Sequence, residues 1–157
     1  PAPGNDFVRV NFVELIPQTN NDSEPVDIRT PLTIRFKFWN LIEGQDLCVG
    51  LHLFTRSREC IFDINSTPQC YRRGLVEGQC EIPGNFLNDG SYYFSLIFVK
   101  DASVELFYCE ECLSFEVEDF RENINWYGKW SGYVRPKFPF RMRQLVAEKE
   151  LVPENDY

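Results

Sequence analysis

The stretch EIPGNFLNDGSYYFSLIFVKD, Glu81 to Asp101, holds the longest run of strand formers in the chain, Tyr92 to Val99. That run has no Gly, Pro or charge. One alternate set is large and apolar throughout: Tyr92, Phe94, Leu96 and Phe98. The other set, Tyr93, Ser95, Ile97 and Val99, is mixed. The pattern predicts a central strand with one fully buried face and one partly covered face. Asn88-Asp89-Gly90 predicts a turn ahead of it, since Gly tolerates positive φ and Asn and Asp bond their own backbone. Gly90-x-Tyr92 at the strand start fits a tyrosine corner, in which a Tyr hydroxyl ties a connection to the sheet.

Working outward, the same alternation recurs. Phe7 to Ile16 reads as a first strand whose phase shifts after Phe12, which predicts a bulge. From Pro31, Leu32, Ile34, Phe36 and Phe38 face the core, and Thr33, Arg35, Lys37 and Trp39 face solvent. Leu47 to Phe54 turns Leu47, Val49, Leu51 and Leu53 inward, and Cys48, Gly50, His52 and Phe54 outward. Cys60 to Asp63 is a short strand, Ile64 to Arg73 an irregular loop, and Gly74 to Ile82 a half-buried strand. Ala102 to Val117 predicts a hairpin, Val104 to Tyr108 and Leu113 to Val117, bent at Cys109 to Cys112. Strand runs separated by turn signals, with no convincing helix, predict an all-β antiparallel sandwich. The segment Arg121 to Phe140 is too irregular for a helix and too apolar to stay solvated, so it must pack on a sandwich. A domain of residues 1–140 and a helical or disordered extension of residues 141–157 follow.

Composition narrows the function. The 157 residues carry 14 Phe and a net charge of −8. A general polyanion binder is basic, so from the overall charge nucleic acid and anionic membrane are both poor partners. No apolar run reaches the roughly 18–20 residues of a spanning helix. No signal-peptide pattern opens the chain, and Pro1-Ala-Pro-Gly-Asn-Asp6 reads as a linker or cut site of an excised domain. Six cysteines, Cys48, Cys60, Cys70, Cys80, Cys109 and Cys112, invite a disulfide reading, as do the glycosylation triplets at Asn21 and Asn65. The sufficient aromatic core favours reduced thiols in the cytoplasm. Cys109-Glu-Glu-Cys112 lacks a second ligand pair for zinc, so no metal or cofactor is expected. His52 is the lone histidine, and no Ser or Cys nucleophile sits in a recognisable elbow, so no catalytic residue is assigned.

Several stretches together resemble a known family. They are Gly50-Leu-His-Leu-Phe54, Cys60-Ile-Phe62, Ile82 to Tyr92, Phe98-Val-Lys-Asp101, Leu113-Ser-Phe-Glu-Val117 and Trp126-Tyr-Gly-Lys-Trp-Ser-Gly-Tyr-Val-Arg-Pro136. In this order, over roughly residues 6–140, the chain resembles the carbohydrate-binding C-terminal domain of Wzt-like ATP-binding subunits of polysaccharide ABC transporters. The resemblance implies an immunoglobulin-like sandwich that binds exported glycan, such as a lipid-linked O antigen, at the cytoplasmic face of the bacterial inner membrane. It also implies a homodimer with exchanged C-terminal strands, placing Trp126, Trp130, Tyr133, Val134 and Arg135 at the exchange. The transporter's ATPase and membrane subunits are the implied partners. No G-x-x-x-x-G-K-[ST] occurs, so the ATPase half is absent from this chain.

A sugar site needs an exposed aromatic ring with polar neighbours, because a sugar has an apolar C–H face and a hydroxyl rim. His52 and Phe54, beside Tyr93 and Ser95, meet that need if their strands are neighbours in an immunoglobulin-like order. Arg35, Lys37 and Trp39 on the opposite sheet are the second choice. Sequence leaves open a rival class, a dimerisation or docking module of the same fold with no sugar affinity.

Overall fold

The computed structural model describes residues 2–148. Eight strands follow one another: β1 (Val8–Pro17), β2 (Leu32–Asn40), β3 (Asp46–Thr55), β4 (Cys60–Asn65), β5 (Gln69–Cys70), β6 (Gly74–Ile82), β7 (Gly90–Lys100) and β8 (Val104–Val117). They form two antiparallel sheets. One has the order β1-β2-β6. The other has the order β4-β3-β7-β8, with β5 paired to β3. The expected sandwich is therefore present. The strand organised around Phe94 lies inside the larger sheet, flanked by β3 and β8.

The inward alternates meet between the sheets. Ile34 and Phe38 of β2 face Leu53 of β3 and Phe94, Leu96 and Phe98 of β7, all essentially buried. Phe38 and Phe98 touch edge to face across the layers, ring centroids 4.8 Å apart. Gly78 lies opposite Phe36 in the β2–β6 register, and a β-carbon there would overlap the Phe36 ring. β1 carries a bulge, but before Phe12 rather than after it: the register shifts between Val10 and Phe12, which sets Phe12 on the outer face under Arg35 and Lys37. The loop expected at Ile64 to Arg73 is partly strand, since β4 runs to Asn65 and β5 pairs with β3. Buried Asn40 donates through Nδ2 to the carbonyls of Ile42, Tyr71 and Arg72, which holds the link between β5 and β6 against the end of β2.

The predicted hairpin at 102–117 is not there. Residues 104–117 are one long strand, and Cys109 to Cys112 are a bulge within it. Phe94 pairs with Leu113 and Leu96 with Cys109, so three residues of β8 stand where β7 has one. Glu111 takes up a left-handed φ of 50° there. Two charged residues between thiols resembled a turn, but β7 is long enough to pair with both halves of the run. Pairing along its whole length satisfies more backbone groups than a bend would. All six cysteines are free thiols. Residues 141–147 contain no helix, and the remainder of the expected extension beyond Glu148 lies outside the described residues.

The tyrosine corner forms as expected. The Tyr92 hydroxyl donates to the Asn88 carbonyl at 2.5 Å. Burial first, and then the Asp89 charge, push the Tyr92 phenol up to about 12. A phenol held neutral by the fold stabilises it fully below the free phenol value near 10 and loses that contribution as pH rises toward about 12. Tyr92 should therefore ionise later than the exposed tyrosines in a phenolate absorbance titration, and Tyr92→Phe should remove that late step. Phe94→Ala should destabilise the fold by roughly 3–5 kcal/mol in denaturant unfolding; a loss under 1 kcal/mol would contradict the central role of β7.

Candidate functional site

The four residues singled out on the larger sheet do converge. Register pairs His52 with Ser95 and Phe54 with Tyr93 across β3 and β7. The Phe54 and Tyr93 rings stack, centroids 5.1 Å apart and 15° between planes. His52 lies between Phe54 at 6.1 Å and Tyr108 at 6.0 Å, with its Nε2 3.0 Å from Asp63 Oδ1. No Ser or Cys is hydrogen-bonded to His52 among the described residues, so the pair does not extend to a nucleophile.

Their accessibility differs from the expectation. Ser95 is fully buried and Tyr93 only 8% exposed. The β8 bulge is the cause, since it folds over this part of the sheet. The Glu111 N–H donates to Ser95 Oγ at 3.3 Å, and Arg58 reaches Glu110 and Glu111 at 3.5 and 3.6 Å. Ser95 points to the side of the sheet that the alternation predicts, and there its hydroxyl accepts from the bulge.

Access to the site moves to the end of the sheet. Two hollows meet at Arg56 and Tyr92. The larger, 660 Å³, is walled by the Thr55–Ser57 turn, by Asp89 to Tyr92 and by Lys129 to Tyr133. The smaller, 420 Å³, is bordered by Tyr93, Glu111, Ser114, Phe115 and Glu116. Both lie in the size range of small-ligand clefts, about 300–1,000 Å³. The resulting groove combines ring edges with an exposed guanidinium, hydroxyls and carboxylates. Tyr133 is 42% exposed along it, and the nearby Glu59 carboxylate and burial raise its phenol. The Arg56 turn is held down by its backbone N–H donating to the Ser91 carbonyl, and by Arg58 in a left-handed conformation.

The groove's far wall is the apolar tail, which packs on its own sandwich. Val134 pairs with Leu87, and the Arg135 N–H donates to the Phe86 carbonyl. Buried Asn88 clamps the segment: its Nδ2 donates to the carbonyls of Trp130 and Gly132, each at 2.9 Å, and its N–H to that of Tyr133. Trp126 and Trp130 meet edge to face at 4.6 Å. Arg135 lies 3.8 Å over the Trp130 ring. Arg121 donates to the carbonyls of Trp126 and Gly128. Asp119 joins the two arginines, 2.7 Å from each.

The second-choice row is differently disposed. Arg35 is held between Glu14 and Glu77 at 2.9 and 2.8 Å, and Lys37 lies over the Phe12 ring. Trp39, 43% exposed, shares an open sheet face with Leu75, its register partner. Among the described residues no group of three or more His, Cys, Asp or Glu is placed to hold a metal. In the Cys pair, the Cys112 thiol donates to the Cys109 carbonyl at 2.9 Å. Its hydrogen bond with Cys109 and its burial push the Cys112 thiol up, which favours its protonated form. Sequence reading missed Arg56, Asp89 and Ser114, which sit in turns or beside the bulge. The charged turn Thr55-Arg-Ser-Arg-Glu59 next to Asn88-Asp89-Gly90 was the available signal.

The fold has a solved counterpart. The chain is similar to the crystal structure of the C-terminal domain of wzt, with a TM-score of 0.67 and 11% sequence identity over 91% of this chain and 88% of that one. At that identity the likeness establishes the shared fold. A structural-genomics target described as an ApaA protein from Bordetella pertussis reaches a TM-score of 0.35 at 11% identity, over 74% of this chain and 98% of that one, and carries no argument. No protein-family profile matches the chain. No curated protein matches it by sequence.

The clamp and the arginine pair each make a test. Asn88→Ala leaves the Trp130 and Gly132 carbonyls without their donor and should destabilise the protein by roughly 1–3 kcal/mol, with a blue-shifted tail tryptophan signal lost. Burial pushes the Asp119 carboxyl up, and the hydrogen bonds from Arg135 and Arg121 outweigh it, leaving a net lowering. A depressed carboxyl stabilises the fold above its unfolded value and stops doing so as pH falls through the folded one. Tail fluorescence in a Trp39→Phe background should therefore change only below the ordinary aspartate range, and Asp119→Asn should abolish that acid step.

Proposed function

We propose that this chain is a non-catalytic carbohydrate-binding domain that recognises a lipid-linked bacterial polysaccharide, such as an O antigen, for export by an ABC transporter. Supporting this is one combination: the fold shared with the C-terminal domain of wzt, and an open groove lined by Tyr133, Tyr93 and Arg56 at the end of the larger sheet. Aromatic surface suits the C–H face of a sugar, and the surrounding polar groups suit its hydroxyls. The site is therefore centred where Tyr93 meets Arg56, with His52 and Phe54 setting the Tyr93 ring from behind. Among the described residues no helix is long and apolar enough to cross a membrane. In this reading the domain works at the cytoplasmic face of the inner membrane, beside the transporter's ATPase and membrane subunits.

We extend the proposal to a homodimer held by exchange of the segment Asn125 to Phe140. The tail meets its sandwich through the Leu87–Val134 bridge and the Asn88 clamp. The same contacts made between two copies would give a two-fold interface and place Tyr133 in the partner's groove.

Glycan titration tests the first reading. Tyr133→Ala and Arg56→Ala should each weaken binding of the host polysaccharide by roughly 1–3 kcal/mol, while Trp39→Ala leaves it unchanged. Absence of any saturable change in the parent protein would favour the docking module, and a loss confined to Trp39→Ala would move the site to the β2 face. For the dimer, sedimentation equilibrium should give twice the chain mass for the intact protein and the single mass for a truncation after Glu122. A monomer at tens of micromolar, well above the affinity of standard-sized interfaces, refutes the exchange.

A further inference from the structure

Residues 123–147 contain Lys129, Arg135, Lys137, Arg141 and Arg143 and no Asp or Glu, in a chain whose net charge is −8. Acidic residues resume only at Glu148. Arg135 and Lys129 are engaged by Asp119 and Asp89. After the Arg135 N–H, which donates to the Phe86 carbonyl, no backbone pairing is seen among the described residues, and residues 137–146 are exposed. Phe138 is 78% exposed, Phe140 86%, Met142 87% and Leu145 77%. Lys137, Arg141 and Arg143 are exposed beside them. Along the sequence the exposed apolar residues Phe138, Phe140 and Met142 are interleaved with the three cations.

We propose that residues 137–146 bind an anionic lipid surface, with the apolar side chains at the acyl boundary and the cations among the headgroup phosphates. Basic segments carrying Phe and Leu bind such interfaces through buried apolar area together with electrostatic attraction. The charge distribution makes the attachment oriented. The sandwich is acidic and is repelled by the same surface, so contact runs through this segment alone. A second copy is the competing occupant, offering the unpaired edge of β8. Strand addition at an edge, however, needs backbone N–H groups in register. Pro136 and Pro139 supply none, whereas a lipid interface requires no register. The exchange proposed above overlaps this segment only at residues 137–140, and its contacts run through Leu87, Asn88 and Val134, so this inference rests neither on that exchange nor on the glycan reading.

Vesicle flotation with the full chain tests it. The protein should float with vesicles of phosphatidylglycerol mixed into phosphatidylcholine, and not with pure phosphatidylcholine. Binding should fall as salt is raised, because screening shortens the reach of the cations. The triple variant Lys137→Gln, Arg141→Gln, Arg143→Gln should lose roughly 100-fold in partitioning, from about a factor of five to ten per cation. Phe138→Ala with Phe140→Ala should weaken binding at constant charge. All these side chains are exposed, so folding is retained and is checked by the unfolding midpoint. No flotation at low salt, equal flotation with both lipids, or flotation unchanged by the triple variant overturns the proposal. So does a self-association without lipid that the Phe138→Ala, Phe140→Ala pair abolishes, which would assign the segment to a second copy.

Discussion

The structure depends on the bonded pair Asn88 and Tyr92. All four polar atoms of Asn88 are used: its carbonyl accepts from the Tyr92 hydroxyl, its N–H and Nδ2 hold the tail, and its Oδ1 accepts from the Asp89 N–H. Asn88 is 1% exposed, so water cannot substitute for a missing partner. A buried amide in this position is stable only with every bond made. That requirement couples three things that sequence separates: the turn before β7, the core strand itself and a segment some forty residues downstream.

The groove follows from that coupling. One wall is the Asp89–Tyr92 entry to β7, and the other is the tail that Asn88 holds. The floor near Tyr93 exists because β8 bulges over Ser95 and leaves Tyr93 at the margin. A regular β8 would pair residue for residue with β7, without the extra residues that carry Glu111 over Ser95. The cleft is thus a product of one bulged strand, β8, and one docked segment.

Charge is divided along the chain in a way that packing explains. The sandwich holds most of the carboxylates. Residues 123–147 are acid-free, and Arg135 within them, with Arg121 just before them, covers the Trp126–Trp130 pair and closes on Asp119. A guanidinium is suited to this work because it can stack on a ring and hydrogen-bond in plane at once. Residues 137–147 carry no carboxylate of their own, and the basic and large apolar side chains from Lys137 to Val146 are exposed.

Sequence alone determined the sandwich, the inward face of each strand, the presence of a bulge in β1, the corner at Tyr92 and the meeting of His52, Phe54, Tyr93 and Ser95. These follow from period-two alternation and turn chemistry, which are local and are written in consecutive residues. Tertiary structure decided the rest. Cys109 to Cys112 became a bulge rather than a bend because β7 offered a continuous partner. Ser95 was closed off by that bulge, a neighbour distant in sequence. Arg56 gained a role only because the turn after β3 lies beside the tail. Local periodicity states which way a side chain points; what covers it there depends on long-range pairing, which no local pattern encodes.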